Sequence, residues 1–153
     1  MSSSKQQGLI EAPLQDVWAV LEDPQRFAEW NEDTVEVTGV PTEIEKGSTF
    51  QWKTRGPLGI SPTSTFEVEE VNDLREIKLR CRTSGYYSHW VLTEARGSTF
   101  AELEMGIDPP SARAQAFRIQ YNRLALRRMA LHGLDNLRSF LRHERGPEAA
   151  TGD

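Results

Sequence analysis

Cysteine is almost missing from this 153-residue chain: Cys81 stands alone, so no internal disulfide can form, and that usage fits a reducing compartment. Long apolar runs are missing too. No stretch approaches the ~20 apolar residues of a membrane span, and the opening MSSSKQQGLIEAP has no apolar h-region. A cytoplasmic protein without integral membrane association is the expectation. An excess of basic charge is also lacking. The formal net charge of −5 argues against nucleic acid as a partner, because a phosphate backbone demands a net supply of Lys and Arg aimed at it. Histidine occurs only at positions 89, 132 and 143, with no second cysteine and no HExxH, so no metal-ligand spacing is present. The run Arg55-Gly56-Pro57-Leu58-Gly59 lacks the Lys-Ser/Thr and the following helix of a phosphate loop. No metal and no cofactor are expected.

What the chain does have is a change of pattern along its length. It is long enough for one domain that buries roughly 70% of its unfolded surface. That domain is expected over residues 1–145, followed by a Gly, Pro, Ala and acidic tail at 146–153 that is expected to be disordered. A first strand over residues 5–12 stops at Pro13, which cannot donate to a ladder but suits a first helical turn. Leu14, Val17, Trp18 and Leu21 then recur at helical spacing. Asp23-Pro24 breaks that helix and starts a second, in which Phe27 and Trp30 share a face.

Six runs of period two follow. Val35 and Val37 oppose Thr34, Glu36 and Thr38; Phe50, Trp52 and Thr54 oppose Gln51, Lys53 and Arg55; Phe66 and Val68 oppose Glu67 and Glu69. Ile77, Leu79 and Cys81 oppose Lys78, Arg80 and Arg82, residues 86–94 form a sixth strand, and Leu103 and Met105 oppose Glu102 and Glu104. Each run has one apolar and one charged side, which predicts a seven-stranded antiparallel sheet with one wet face. After Asp108-Pro109-Pro110-Ser111 the period changes to 3.6. One long helix is predicted over about residues 111–142, with Leu126, Ala130, Gly133, Leu134, Leu137 and Leu141 as its apolar stripe and Arg123, Arg127, Arg138 and Arg142 off it. Residues 117–142 alone would span about 39 Å, enough to cross the sheet. Residues 109–145 carry eight Arg against Asp135 and Glu144, so this helix is locally basic while the sheet is acidic; a solvated back face and a contact with an anionic partner or membrane surface are both readings of it.

The segment IEAPLQDVWAVLEDPQRFAEWN resembles the start of SRPBCC-superfamily domains (START and birch-pollen-allergen-like proteins), in particular the bacterial polyketide cyclase/dehydrase-like group. Its I-x-A-P-x-x-x-V-W and D-P-x-x-F-x-x-W stretches carry the resemblance. Lys46-Gly47-Ser48-Thr49-Phe50, residues 64–71 and His89-Trp90 extend it over residues 9–141. The resemblance implies an α+β helix-grip fold: a curved seven-stranded antiparallel sheet, two short helices after the first strand, and a long C-terminal helix across the concave face. It also implies a ligand site between that helix and the sheet.

The candidate pocket residues are Trp30, Phe50, Trp52, Thr54, Phe66, Cys81, Tyr86, Trp90, Met105, Phe117, Tyr121 and Leu124. The aromatics are costly to leave wet, so they line either a packed core or an apolar pocket. The family pattern turns Trp90 inward and so His89 outward, where it is an ordinary surface histidine; inside, it would be fit for acid–base work. Some cyclases of this fold are thought to orient a polyketone with a pocket arginine and tyrosine. Arg55 has the wrong strand parity for that, whereas Tyr121 can hang its hydroxyl over the cavity. Cys81 faces away from Arg80 and Arg82 and reads as an inert buried thiol. No residue is assigned a catalytic role. The expected function is binding of a hydrophobic or amphipathic small molecule; a polyketide aromatase/cyclase or dehydratase and a non-catalytic protein-interaction domain are the alternatives. The sequence leaves oligomeric state open.

Overall fold

The computed structural model describes residues 2–151, with the side chains of Pro57 and of residues 145–151 outside that description. Strand β1 (Ser2–Ile10) leads into α1 (Leu14–Leu21), a 3-10 turn (Pro24–Arg26) and α2 (Phe27–Trp30). Six strands follow: β2 (Thr34–Thr38), β3 (Thr49–Thr54), β4 (Thr63–Asn72), β5 (Glu76–Cys81), β6 (Tyr86–Ala95) and β7 (Ser98–Ile107). A 3-10 turn (Arg113–Ala116), α3 (Phe117–Gln120) and α4 (Arg123–Thr151) complete the chain. The strands form one antiparallel sheet in the order β1-β7-β6-β5-β4-β3-β2, so β1 closes the edge beside β7. This is the helix-grip α+β architecture that the sequence resemblance implies.

Two extra residues bend the sheet. The register with the neighbouring strand slips between Thr34 and Glu36, and again between Val68 and Glu70, which makes Val35 and Glu69 the bulged residues. A bulge increases local twist and re-aims side chains. The first one corrects the simple alternation read for β2: Thr34, assigned to the wet face, is buried. The second presents Glu69 to the outer face, where Arg80 Nη2 donates to Glu69 Oε1 at 3.1 Å, Arg80 Nε donates to Oε2, and Lys78 Nζ lies 3.1 Å away. The guanidinium of Arg80 and the ammonium of Lys78 hold that carboxyl down at about 2.

The predicted continuous helix is interrupted. Tyr121 leaves helical geometry (φ −103°, ψ 53°), and Asn122 starts the helix anew by accepting the Ala125 N–H on its Oδ1 at 3.0 Å. An asparagine side chain that satisfies an orphan N–H at a helix start is a stable cap, so a new helix costs little here. Downstream, Leu126, Ala130, Gly133, Leu134, Leu137 and Leu141 are all buried, as the 3.6-residue spacing requires. They seat α4 on β1 and β7. A Cβ on Gly133 would stand 2.9 Å from Leu103 Cδ2 and 3.6 Å from Met105 Cε, so the bare glycine sets how closely helix and sheet approach. Two arginines pin the same helix: Arg138 Nε donates to the Leu9 carbonyl at 3.1 Å, and Arg26 Nη2 meets Glu144 Oε1 at 2.6 Å. The backbone is helical as far as Thr151, within the 146–153 segment. Gly152 and Asp153 of that segment lie outside the described residues.

Gly133→Val is expected to lower unfolding free energy by about 1–3 kcal/mol through overpacking, while Gly133→Ala stays near neutral because roughly 1 kcal/mol of helix propensity offsets the contact; urea denaturation measures both. Because Glu69 ionises below the usual carboxylate range, its contribution is present above the unfolded-state value and is lost as pH falls toward 2. Its side chain is about a third exposed, so the screened effect is about 1 kcal/mol. Glu69→Gln is expected to flatten the acid limb of stability against pH by that amount.

Candidate ligand-binding site

A cavity of about 540 Å³ lies between the concave sheet face and the α3–α4 junction. Its position follows from the packing. Because α4 is seated mainly over β1 and β7, the part of the sheet formed by β3 to β6 is roofed by α3, the bend at Tyr121 and the first turns of α4, with side chains of α1 and α2 at the side. The floor is Phe66, Ile77, Leu79, Cys81, Trp90 and Met105; Leu21, Phe27 and Trp30 form one wall, and Phe117, Tyr121, Met129 and Gly133 the roof. Strand alternation supplies the floor, and the three-residue spacing of Phe27 and Trp30 brings both into the wall.

The aromatic rings lock one another. Phe27 and Trp52 lie 4.9 Å apart, Trp52 and Phe66 4.8 Å, and Trp30 meets Trp90 edge to face at 6.2 Å. Such pairs contribute about 0.5–1.5 kcal/mol each beyond their burial, which keeps the walls from collapsing into the hollow. The indole N–H of Trp52 donates to Thr34 Oγ1 at 2.9 Å, so the bulge that buries Thr34 also satisfies the wall. Tyr121 stacks on Tyr86 with centroids 4.9 Å apart and planes 20° from parallel. Tyr86 donates to Met105 Sδ at 3.5 Å, a weak acceptor. Burial pushes the phenol of Tyr86 far above the ordinary tyrosine range, with Tyr121 adding to it, and burial raises Tyr121 as well. Both hydroxyls therefore stay protonated and serve as donors.

Polar side chains gather at the mouth. Asn31, Asp33, Arg55, Gln120, His132 and Asn136 border it. Arg55 Nε donates to the Glu32 carbonyl at 3.1 Å and its N–H to the Asp33 carbonyl at 2.8 Å, while His132 Nε2 and Glu32 Oε2 are 3.2 Å apart. The 31–33 loop is thus tied to both the sheet and α4. Arg55 is brought to the rim although strand parity points it away, because β3 ends at Thr54 and alternation no longer applies. His89 lies on the outer face and meets Glu76 Oε1 at 2.8 Å, the partner whose hydrogen bond lowers the Glu76 pKa.

Among the sequence candidates, Trp30, Trp52, Thr54, Phe66, Cys81, Tyr86, Trp90, Met105, Phe117 and Tyr121 line the cavity. Phe50 and Leu124 do not. Phe50 is buried against Phe27 (6.4 Å) and Phe66 (6.2 Å) in the solid core beside the cavity. Leu124, on the first turn after the break, is turned outward and 56% exposed. Residues that sequence reasoning missed include Leu21, Phe27, Ser64 and Met129. Met129 follows Tyr121 by eight residues, a two-turn spacing that marks one face of the helix the sequence predicts and was the signal that could have found it. Ser64 shares the parity of Phe66 and Val68, so strand alternation was the signal that could have placed it on the concave face.

Sheet, gripping helix and roofed cavity together define a helix-grip domain of the SRPBCC superfamily. The chain belongs to the family described as polyketide cyclase / dehydrase and lipid transport, which matches residues 1–141. A search of curated proteins returns no match. Among solved structures, a protein from Thermus thermophilus superposes with a TM-score of 0.69 at 12% identity, over 91% of this chain and 96% of that one. The AHSA1-like protein from Aeromonas hydrophila gives 0.61 at 17% identity over 91% of both chains. The di-domain ARO/CYC StfQ of the steffimycin biosynthetic pathway gives 0.69 at 13% identity, over 94% of this chain and 52% of that one. At these identities the likeness is one of fold. No helix among the described residues is long and apolar enough to cross a membrane.

Thr34→Val would leave the Trp52 indole N–H unpaired inside the cavity wall. A loss of about 1–3 kcal/mol is expected, measured by chemical denaturation, with Thr34→Ser retaining most of the stability.

Proposed function

We propose that this protein binds a hydrophobic or amphipathic small molecule, lipid- or polyketide-like in shape, in the cavity under the α3–α4 junction. The observation that carries this reading is the division of polarity: largely aromatic and aliphatic floor and walls, with Asp33, Arg55 and His132 at the rim. A volume of 540 Å³ falls within the range of small-molecule pockets, roughly 300–1,000 Å³. Each methylene taken from water into such a site contributes about 0.8 kcal/mol. The hydroxyls of Tyr86 and Tyr121 and the polar atoms of Thr54 and Ser64 give a polar end of the ligand its orientation. The family's description, which pairs cyclases and dehydrases with lipid transport, supports the same class of occupant.

A second reading, a polyketide aromatase/cyclase or dehydratase, is favoured by the stacked Tyr86–Tyr121 pair. Two protonated phenols on one wall can donate to ketone oxygens and stabilise an enolate as it forms. Against it stands the weak acceptor that Tyr86 finds in Met105: among the described residues no carboxylate or imidazole is hydrogen-bonded to either phenol.

Native mass spectrometry of the purified protein is expected to reveal a co-purifying small molecule or, after delipidation, 1:1 uptake of the neutral fluorophore N-phenyl-1-naphthylamine. Ser64→Trp, which pushes an indole into the hollow from β4, is expected to weaken dye binding at least tenfold while the melting transition persists. Equal binding by the variant would remove the cavity as the site.

A further inference from the structure

Five arginines and no carboxylate lie between Asp108 and Asp135: Arg113, Arg118, Arg123, Arg127 and Arg128. All five are exposed, and among the described residues none forms an ion pair, in contrast to Arg26, Arg80, Arg82 and Arg138, which do. Large apolar side chains stand out beside them. Ile119 is 82% exposed and Leu124 56%, and Leu124, Arg128 and Leu131 share the outer face of α4 at spacings of four and three. A second apolar projection, Leu58 at 96% and Ile60 at 63% exposed, comes from the β3–β4 loop. Leu58 is held in the left-handed region (φ 59°), a conformation disfavoured for leucine, and is kept outward nonetheless. Both projections flank the cavity: Gly56 and Pro62 bracket one, Phe117, Gln120 and Tyr121 the other, and all five line the opening or its roof.

We propose that this face is a membrane-docking surface that sets the cavity mouth against a bilayer containing anionic lipid. The arginines lie where they can meet phosphate and carboxylate headgroups, with bidentate hydrogen bonds to the phosphates, while Leu58, Ile60, Ile119 and Leu124 reach toward the acyl boundary. The complementarity is one of charge as well as polarity: a chain of net charge −5 concentrates its unpaired basic groups here, so an anionic surface attracts this face and repels the acidic remainder. The choice of a bilayer over an acidic protein rests on the binding reading above, because an apolar occupant resides in membrane and enters through the mouth.

Vesicle flotation tests the docking without any cavity ligand, so it can fail while dye binding succeeds, and the reverse. Full-length protein is expected to float with phosphatidylcholine vesicles containing phosphatidylserine, to stay behind with phosphatidylcholine alone, and to be released near 1 M salt, where the Debye length is about 3 Å. Neutralising R118Q, R123Q and R128Q together is expected to weaken vesicle affinity on the order of 100-fold, roughly fivefold per arginine. The variant pair I119S and L124S is expected to weaken it further in its own right; exposed positions leave the melting transition unmoved, which separates docking from misfolding. Leu58→Trp is expected to be quenched by brominated lipid on anionic vesicles. Absence of flotation, equal flotation on neutral vesicles, insensitivity to the arginine variant, or flotation without quenching of the new indole would each overturn the proposal.

Discussion

The seat of α4 over one side of the sheet is the constraint on which the rest of this molecule depends. Gly133 brings the helix axis close to β7, and Leu126, Ala130, Leu134, Leu137 and Leu141 are buried along the face that α4 turns to β1 and β7. A helix fixed there cannot also cover β3, β4 and β5. The concave face of those strands is left to the end of α1, α2, α3, the bend at Tyr121 and the first turns of α4, which leave it unfilled. The hollow is therefore a product of a well-packed contact elsewhere, and the interlocked rings of Phe27, Trp52, Phe66, Trp30 and Trp90 keep its walls from relaxing inward.

Charge is divided between the two surfaces in a way that separates scaffold from site. On the outer face of the sheet, Glu69, Arg80 and Lys78 form one network, Arg82 pairs with Glu67, and Tyr87 lies flat against Gly106 beneath Lys78 and Arg80. Burial, helped by Glu104, pushes the Tyr87 phenol up to about 12. Those groups are committed to one another and brace the curved sheet from behind. On the helical side Arg113, Arg118, Arg123, Arg127 and Arg128 are exposed and form no ion pair among the described residues, and they lie along the segment whose Phe117, Gln120 and Tyr121 line the cavity. The proposed membrane attraction and the apolar interior thus belong to the same end of the protein.

Much of this architecture was legible in the order of residues. Period-two runs gave the seven strands, the leucine stripe gave the seat of α4, and the Pro13 and Asp23-Pro24 signals gave the two short helices. The floor of the cavity followed, because alternation assigns Trp52, Phe66, Cys81 and Met105 to one face whatever the strands pack against. Features that depend on single insertions in a register were not legible: the bulges at Val35 and Glu69 look like any other strand residue, and one of them turns Thr34 inward. The break at Tyr121-Asn122 was hidden for a different reason. An asparagine inside an amphipathic pattern is tolerated or caps a new helix depending on tertiary context, and only the latter rotates Leu124 away and hangs Tyr121 over the hollow. Rim groups such as Arg55 and His132 are set by where strands and helices stop, the least certain aspect of any pattern.

The four tryptophans offer the most direct test of a hollow at this place. Trp30, Trp52 and Trp90 line it, whereas Trp18 is buried outside it. In a ¹H–¹⁵N spectrum, a saturating neutral apolar probe is expected to shift the indole signals of the first three and leave that of Trp18 in place. Four unmoved signals, or a Trp18 shift as large as the others, would contradict an open cavity beneath the α3–α4 junction.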